Sequence, residues 1–291
     1  MARPEPVDTP AAPPGRRWSG LRARVLAAAV FVPCFAIIAW RGEHYFVVLV
    51  NYVALAGAYE FHKLLDAKGI RGQKGTAFVA GIALPWLFYL HGGAWAGFGL
   101  AVLVLGSLAQ ELWRPVGESL VRASTSILGF LYVSWLASHL VLLRELPRQV
   151  GLPYGLGFEI VMLVFLLTWM ADTGAYLVGS AAGRHKLAPR ISPGKSIEGA
   201  IGGLAFAVAA GLVAARTFMR GDLTLSAAAA LGALAAVVGL IGDLVESQLK
   251  RDAHVKDASS AIPGHGGALD RFDSVLFVAP LIYYVLRFLV L

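Results

Sequence analysis

Asp243, Glu246, Ser247 and Lys250 recur at helical spacing near the end of a long apolar run, and His254 follows one turn later. A helix advances about 100° per residue, so the five side chains fall within an arc of about 100°. One face therefore carries acid, hydroxyl and base together. A glycine-rich stretch follows, from Ile262 to Asp273, with Gly264, Gly266 and Gly267 allowing close backbone approach to a ligand. Asp270 and Asp273 are three apart and share a face if the last helix begins there. Carboxylates at two helix ends, with Lys250, Arg251 and Arg271 beside them, suit phosphoryl or nucleotidyl transfer. Hard oxygen ligands bind Mg²⁺, which keeps several waters and also holds substrate phosphates. Cations offset the charge that develops on phosphorus oxygens and on a phosphate leaving group. His265 taken alone reads more readily as structural; within this loop it becomes a substrate-binding candidate.

A second loop, Gly183 to Gly199, is basic, holds Pro189 and Pro193, and is bounded by glycine. Ser192, Lys195 and Ser196 beside Gly194 are groups that hold phosphate oxygens. Gly194-Lys195-Ser196 has the form of a P-loop ending, but the upstream glycine spacing fails and no strand is expected before it. Asp172 lies upstream in an apolar helix, where an unpaired carboxylate costs several kcal/mol on typical scales. It contacts either the substrate and metal region or a basic residue of another helix.

The elements that position these residues are membrane helices. Of 291 residues, 57% are hydrophobic and 15% charged, and mean hydropathy is +0.67; soluble domains carry roughly a quarter charged residues. Nine apolar runs, near 23–40, 44–61, 75–91, 94–112, 124–143, 157–180, 199–218, 223–247 and 273–291, approach the span of about 20 residues that a bilayer needs. The expected fold is an all-α, polytopic helix bundle: a Pro-rich basic tail over 1–20, N-terminal membrane helices over 21–156 and a catalytic region over 157–291. The tail lacks a signal-peptide core. With the N-terminus in the cytoplasm, cytoplasmic segments hold 19 Lys and Arg against five on the far side (Arg41, Arg144, Arg148, Arg216 and Arg220). This bias predicts that orientation. The net charge of +7 fits loops beside anionic headgroups rather than nucleic acid. Cys34, the single cysteine, is expected to pack. The glycines of 199–247 suit close helix packing in lipid.

The 27 residues from Ser247 to Asp273 resemble the signature of phosphatidate cytidylyltransferases, also called CDP-diacylglycerol synthases. The resemblance rests on Ser247-Gln248-Leu249-Lys250-Arg251, Lys256-Asp257, His265-Gly266-Gly267 and Leu269-Asp270-Arg271-Phe272-Asp273. Asp172 to Tyr176 and Ile191 to Gly199 are also similar to that family, so the likeness covers roughly the C-terminal half; Ala268 departs from a usually larger aliphatic residue. It implies a cytoplasm-facing site in a bacterial inner membrane and a divalent cation, Mg²⁺, with a second metal or a monovalent cation left open. It places metal on Asp243 and Asp270, with Glu246 and Asp273 as further candidates. The implied partners are CTP, phosphatidic acid and membrane lipids, with homodimerisation left open. In the expected reaction the lipid phosphate attacks the α-phosphorus of CTP and pyrophosphate leaves. Lys195, Lys250, Arg251 and Arg271 would meet phosphates, and Ser192, Ser196 and Ser247 would add hydroxyl bonds. A CTP-using lipid kinase and a transporter are the competing readings. A transporter would set its charges near the midplane rather than at one face, and the paired-aspartate motif of CDP-alcohol phosphotransferases is not found.

Overall fold

The computed structural model describes residues 29–255 and 267–290; the tail over 1–20, Lys256, Asp257 and His265 lie outside them. A chain this apolar must satisfy its backbone polar groups internally, which a helix does within one segment. The described residues accordingly form α1 (Ala29–Arg41), α2 (Glu43–Ala67), α3 (Lys74–His91), α4 (Ala96–Gln110) and α5 (Ser119–Gly129). There follow α6 (Leu136–Val150), α7 (Leu156–Ala182), α8 (Ile197–Arg216), α9 (Leu225–Asp252) and α10 (Leu269–Val285). A π-helical segment, Phe130–Trp135, joins α5 to α6, and another, Leu286–Val290, prolongs α10.

Within the described residues, helix covers each apolar run expected from the sequence. Among the described residues, six stretches are long and apolar enough to cross a bilayer: 74–113, 119–150, 156–182, 197–216, 225–252 and 269–290. Helix α1, short in its described part, and α2, interrupted by Asn51, Glu60 and His62, are not among them. The 40-residue stretch is not one rod. Gly92, at φ 60°, breaks it, and a Cβ on Gly99 would lie 2.5 Å from the Leu87 side chain. An unbroken helix would hold those two residues about 18 Å apart, so α4 folds back along α3. The expectation of nine crossings thus meets six such stretches, with α1, α2 and the α3–α4 fold-back making the difference.

The loop over 183–198 holds an addition to the all-α plan. Strands β1 (Lys186–Ala188) and β2 (Ser192–Ser196) pair antiparallel, with Lys186 opposite Ser196 and Ala188 opposite Ser192. Ile197 donates its N–H to the His185 carbonyl at 2.9 Å and closes the hairpin.

Three loops meet at one end of the bundle. Lys68, after α2, pairs with Asp252 at the end of α9. Arg251 Nε donates to the Ile191 carbonyl at 3.3 Å, which brings the hairpin beside α9. At the opposite end Arg144 is not a loop residue, as the charge count took it, but is buried in α6. It donates to the carbonyls of Ala39 (2.7 Å), Trp40 (3.1 Å) and Tyr154 (3.2 Å). The first two are end-of-helix carbonyls of α1 that lack helical partners. One hydrophobic core runs through the bundle from Phe35 to Leu286.

Candidate active site

Close approach of α9 to α10 builds the acid cluster. A Cβ on Gly242 would lie 2.6 Å from the Asp273 carbonyl, so only glycine lets the two backbones meet there. The contact brings ligand oxygens of Asp243, Glu246 and Asp273 within 4.8 Å of one another. Glu246 is fully buried, and its Oε1 has no hydrogen-bond partner among the described residues. Carboxylates packed this closely repel unless a cation stands among them. Lys250 supplies part of that charge, pairing with Glu246 one turn away and with Asp270 Oδ1 at 2.6 Å. Three hard-oxygen ligands, one with an unused buried oxygen, fit a divalent cation such as Mg²⁺.

Lys195 reaches this cluster from β2, its Nζ 2.5 Å from Asp243 Oδ2. Beside the pair, a cavity of about 420 Å³ opens among α7, α8 and α9, lined by Asp172, Ser180, Lys195, Asp243 and small apolar residues. Asp172 is thus in the cavity and not tied to a basic residue by any ion pair among the described residues. Ser247 Oγ donates to Asp243 Oδ1 at 3.3 Å. Ser196 Oγ caps α8, accepting the Gly199 N–H at 3.1 Å, and Ser192 sits in β2 opposite Ala188. Arg251 donates to the backbone carbonyls of Ile191 and Val255, while Arg271 is exposed on the first turn of α10. His254 leaves the polar face predicted for it: α9 ends at Asp252, and His254 adopts φ 57°. Asp270 and Asp273 do lie on the first turns of one helix. Asp270 borders the three-acid cluster through the Lys250 it shares with Glu246, and its Oδ2 accepts the Gly267 N–H at 2.7 Å.

Two residues of the N-terminal half also belong here, although sequence reasoning confined the site to the C-terminal half. Glu60 of α2 is buried and accepts the N–H groups of Ala268 at 3.0 Å and Leu269 at 2.7 Å. Tyr132, from the π-helical segment, has a buried hydroxyl without a partner, within electrostatic reach of Asp243, Glu246, Asp270 and Asp273. A polar residue in an apolar run was the available signal for each, as it was for Asp172. π-Helical segments recur at functional sites.

Membrane helices that gather acids, lysines and a cavity at one end define a membrane enzyme for phosphate-bearing substrates. The chain belongs to the cytidylyltransferase family, whose sequence pattern it matches over residues 22–289. It is 33% identical over 290 residues to a phosphatidate cytidylyltransferase of Synechocystis sp., covering 90% of this chain and 94% of the relative. The phosphatidate cytidylyltransferase of Haemophilus influenzae is 33% identical over 290 residues, with 91% and 96% covered. That of Pseudomonas aeruginosa is 35% identical over 269 residues, with 89% and 94% covered.

Proposed function

We propose that this chain is a phosphatidate cytidylyltransferase, joining CTP to phosphatidic acid to form CDP-diacylglycerol and pyrophosphate. The observation that carries this reading is the family match over nearly the whole chain, with relatives of that activity aligned end to end. The site supports it. A phosphate oxygen of the lipid attacks the α-phosphorus of CTP, a new P–O–P bond forms, and the bond between α- and β-phosphates breaks to release pyrophosphate. A phosphomonoester with a second pKa of about 6 is already largely dianionic near neutral pH, so no strong base is required. The protein must align two anions and offset their repulsion.

Lys195 and Asp172 face the cavity, which we assign to the phosphate end of the lipid. Lys250 and Arg271 take phosphates of CTP. Asp243, Glu246 and Asp273 would hold Mg²⁺, and Asp270 joins them when a substrate phosphate draws Lys250 away. Bound there, Mg²⁺ offsets the charge that builds on the phosphorus oxygens and the leaving pyrophosphate. The site end of the bundle faces the cytoplasm of a bacterial inner membrane, as the Lys and Arg distribution favours. The test is the fate of the label in CTP. Label on the α-phosphorus should enter the lipid, and γ-label should leave as pyrophosphate. A γ-label in the lipid would mark a CTP-dependent lipid kinase instead.

A further inference from the structure

The first turn of α10 carries Asp270, yet no side chain of its own caps it. A helix leaves its first N–H groups without partners, and a negative charge near them is favourable. Glu60, more than two hundred positions earlier, meets that need. Its two carboxylate oxygens divide between Ala268 N (3.0 Å) and Leu269 N (2.7 Å). At Gly267 the fit is closer still, since a Cβ there would lie 2.4 Å from Glu60 Oε2. The carboxylate therefore fills the space a side chain would occupy. A buried charge, 2% exposed, is tolerated only where such bonds compensate it.

From Glu60 the contacts lead into the acid cluster without a gap. Gly267 N–H binds Asp270 Oδ2 at 2.7 Å, Asp270 Oδ1 binds Lys250 at 2.6 Å, and Lys250 pairs with Glu246. We infer that Glu60 is a positioning residue for the transfer reaction: its carboxylate fixes the backbone of Gly267–Leu269 and so holds Asp270 at the edge of the acid cluster, beside Lys250. It touches no substrate and acts through the backbone. The inference rests on the proposed function for its kinetic part alone.

The experiment compares wild type with Glu60→Gln and Glu60→Ala, purified in detergent. It reads kcat and KM per folded enzyme, and amide hydrogen exchange over 267–273. Glu60→Gln keeps one acceptor and loses the charge. It should lower kcat about ten- to hundredfold, the worth of one charge-assisted hydrogen bond, with less change in KM. The amides of Ala268 and Leu269 should exchange faster in both variants, and Glu60→Ala should be worse than Glu60→Gln. A variant that folds with wild-type kcat and unchanged exchange overturns the inference. So does a loss of rate that only follows the folded fraction, which is the mark of a merely structural residue. Should wild type itself make no CDP-diacylglycerol, the functional reading fails, while exchange still tests the clamp.

Discussion

Lys195 carries its ammonium from the base of the hairpin, near the end of β2, to within 2.5 Å of Asp243, and no other ion pair joins the hairpin to α9 among the described residues. A lysine that steadies a substrate phosphate should be worth about 1.5–3 kcal/mol as a charge-assisted bond. Lys195→Ala should therefore lower kcat/KM by that amount; an unchanged rate at low substrate would return the hairpin to a mere lipid-facing loop. Ser196 tests a different point. Its hydroxyl bonds to Gly199 N–H as a helix cap. Ser196→Ala should cost about 1 kcal/mol of stability, and Ser196→Asn, an equally good cap, should restore it. Thermal melts decide this, and a serine needed for substrate would leave the Asn variant stable but inactive. At this scale the sequence was legible where residues of one helix share a face, as Asp243, Glu246 and Lys250 do. For Asp270 the resemblance implies metal ligation, and the fold adds partners that spacing does not announce, Lys250 and the Gly267 N–H. Which carboxylate takes which cation depends on backbone placement that spacing alone does not contain.

At the scale of elements, the site depends on how near α9 comes to α10. Gly242 sets that distance, because a methyl group there would press to 2.6 Å from the Asp273 carbonyl. Gly242→Ala should force the helices apart, spread the three acids and reduce turnover strongly while the chain still inserts. Gly106→Ala in α4, where a Cβ meets nothing within 4 Å, should leave activity intact. Equal activity of the two variants in the CTP assay would remove close helix approach from the account. The glycines of α8 and α9 suit close packing in the sequence, and Gly232 does pack, lying against the Ala207 backbone. The hairpin over 186–196 was not legible. β1 is only three residues long, and β2 is polar and holds Pro193, so they show neither alternation nor β-branched enrichment. The break between α3 and α4 was legible as two runs, since Gly92 and Gly93 separate them.

Across the whole molecule, the loops after α2, α7 and α9 gather at one end, tied by Lys68 to Asp252 and by Arg251 to Ile191. In a background without Cys34, Arg71→Cys and Arg190→Cys should label from the same side of sealed membranes, and Asp222→Cys from the other. Labelling of the first two from opposite sides would end the single-site arrangement. Helices were plain from apolar run length, because lipid forces backbone bonding within each segment. The partnership of Glu60 with Leu269 was not, since nothing local in α2 announces a bond to a residue 209 positions away. The most direct test of the whole account is the initial rate of CDP-diacylglycerol formation by purified Asp243→Asn, measured against wild type across Mg²⁺ concentrations. Asn keeps the size of the side chain and removes the charge that links Lys195 to the acid cluster. The account predicts a normally inserted protein with no product above background at any Mg²⁺ concentration. A near-normal rate at limiting Mg²⁺ would contradict it and place the chemistry elsewhere in the fold.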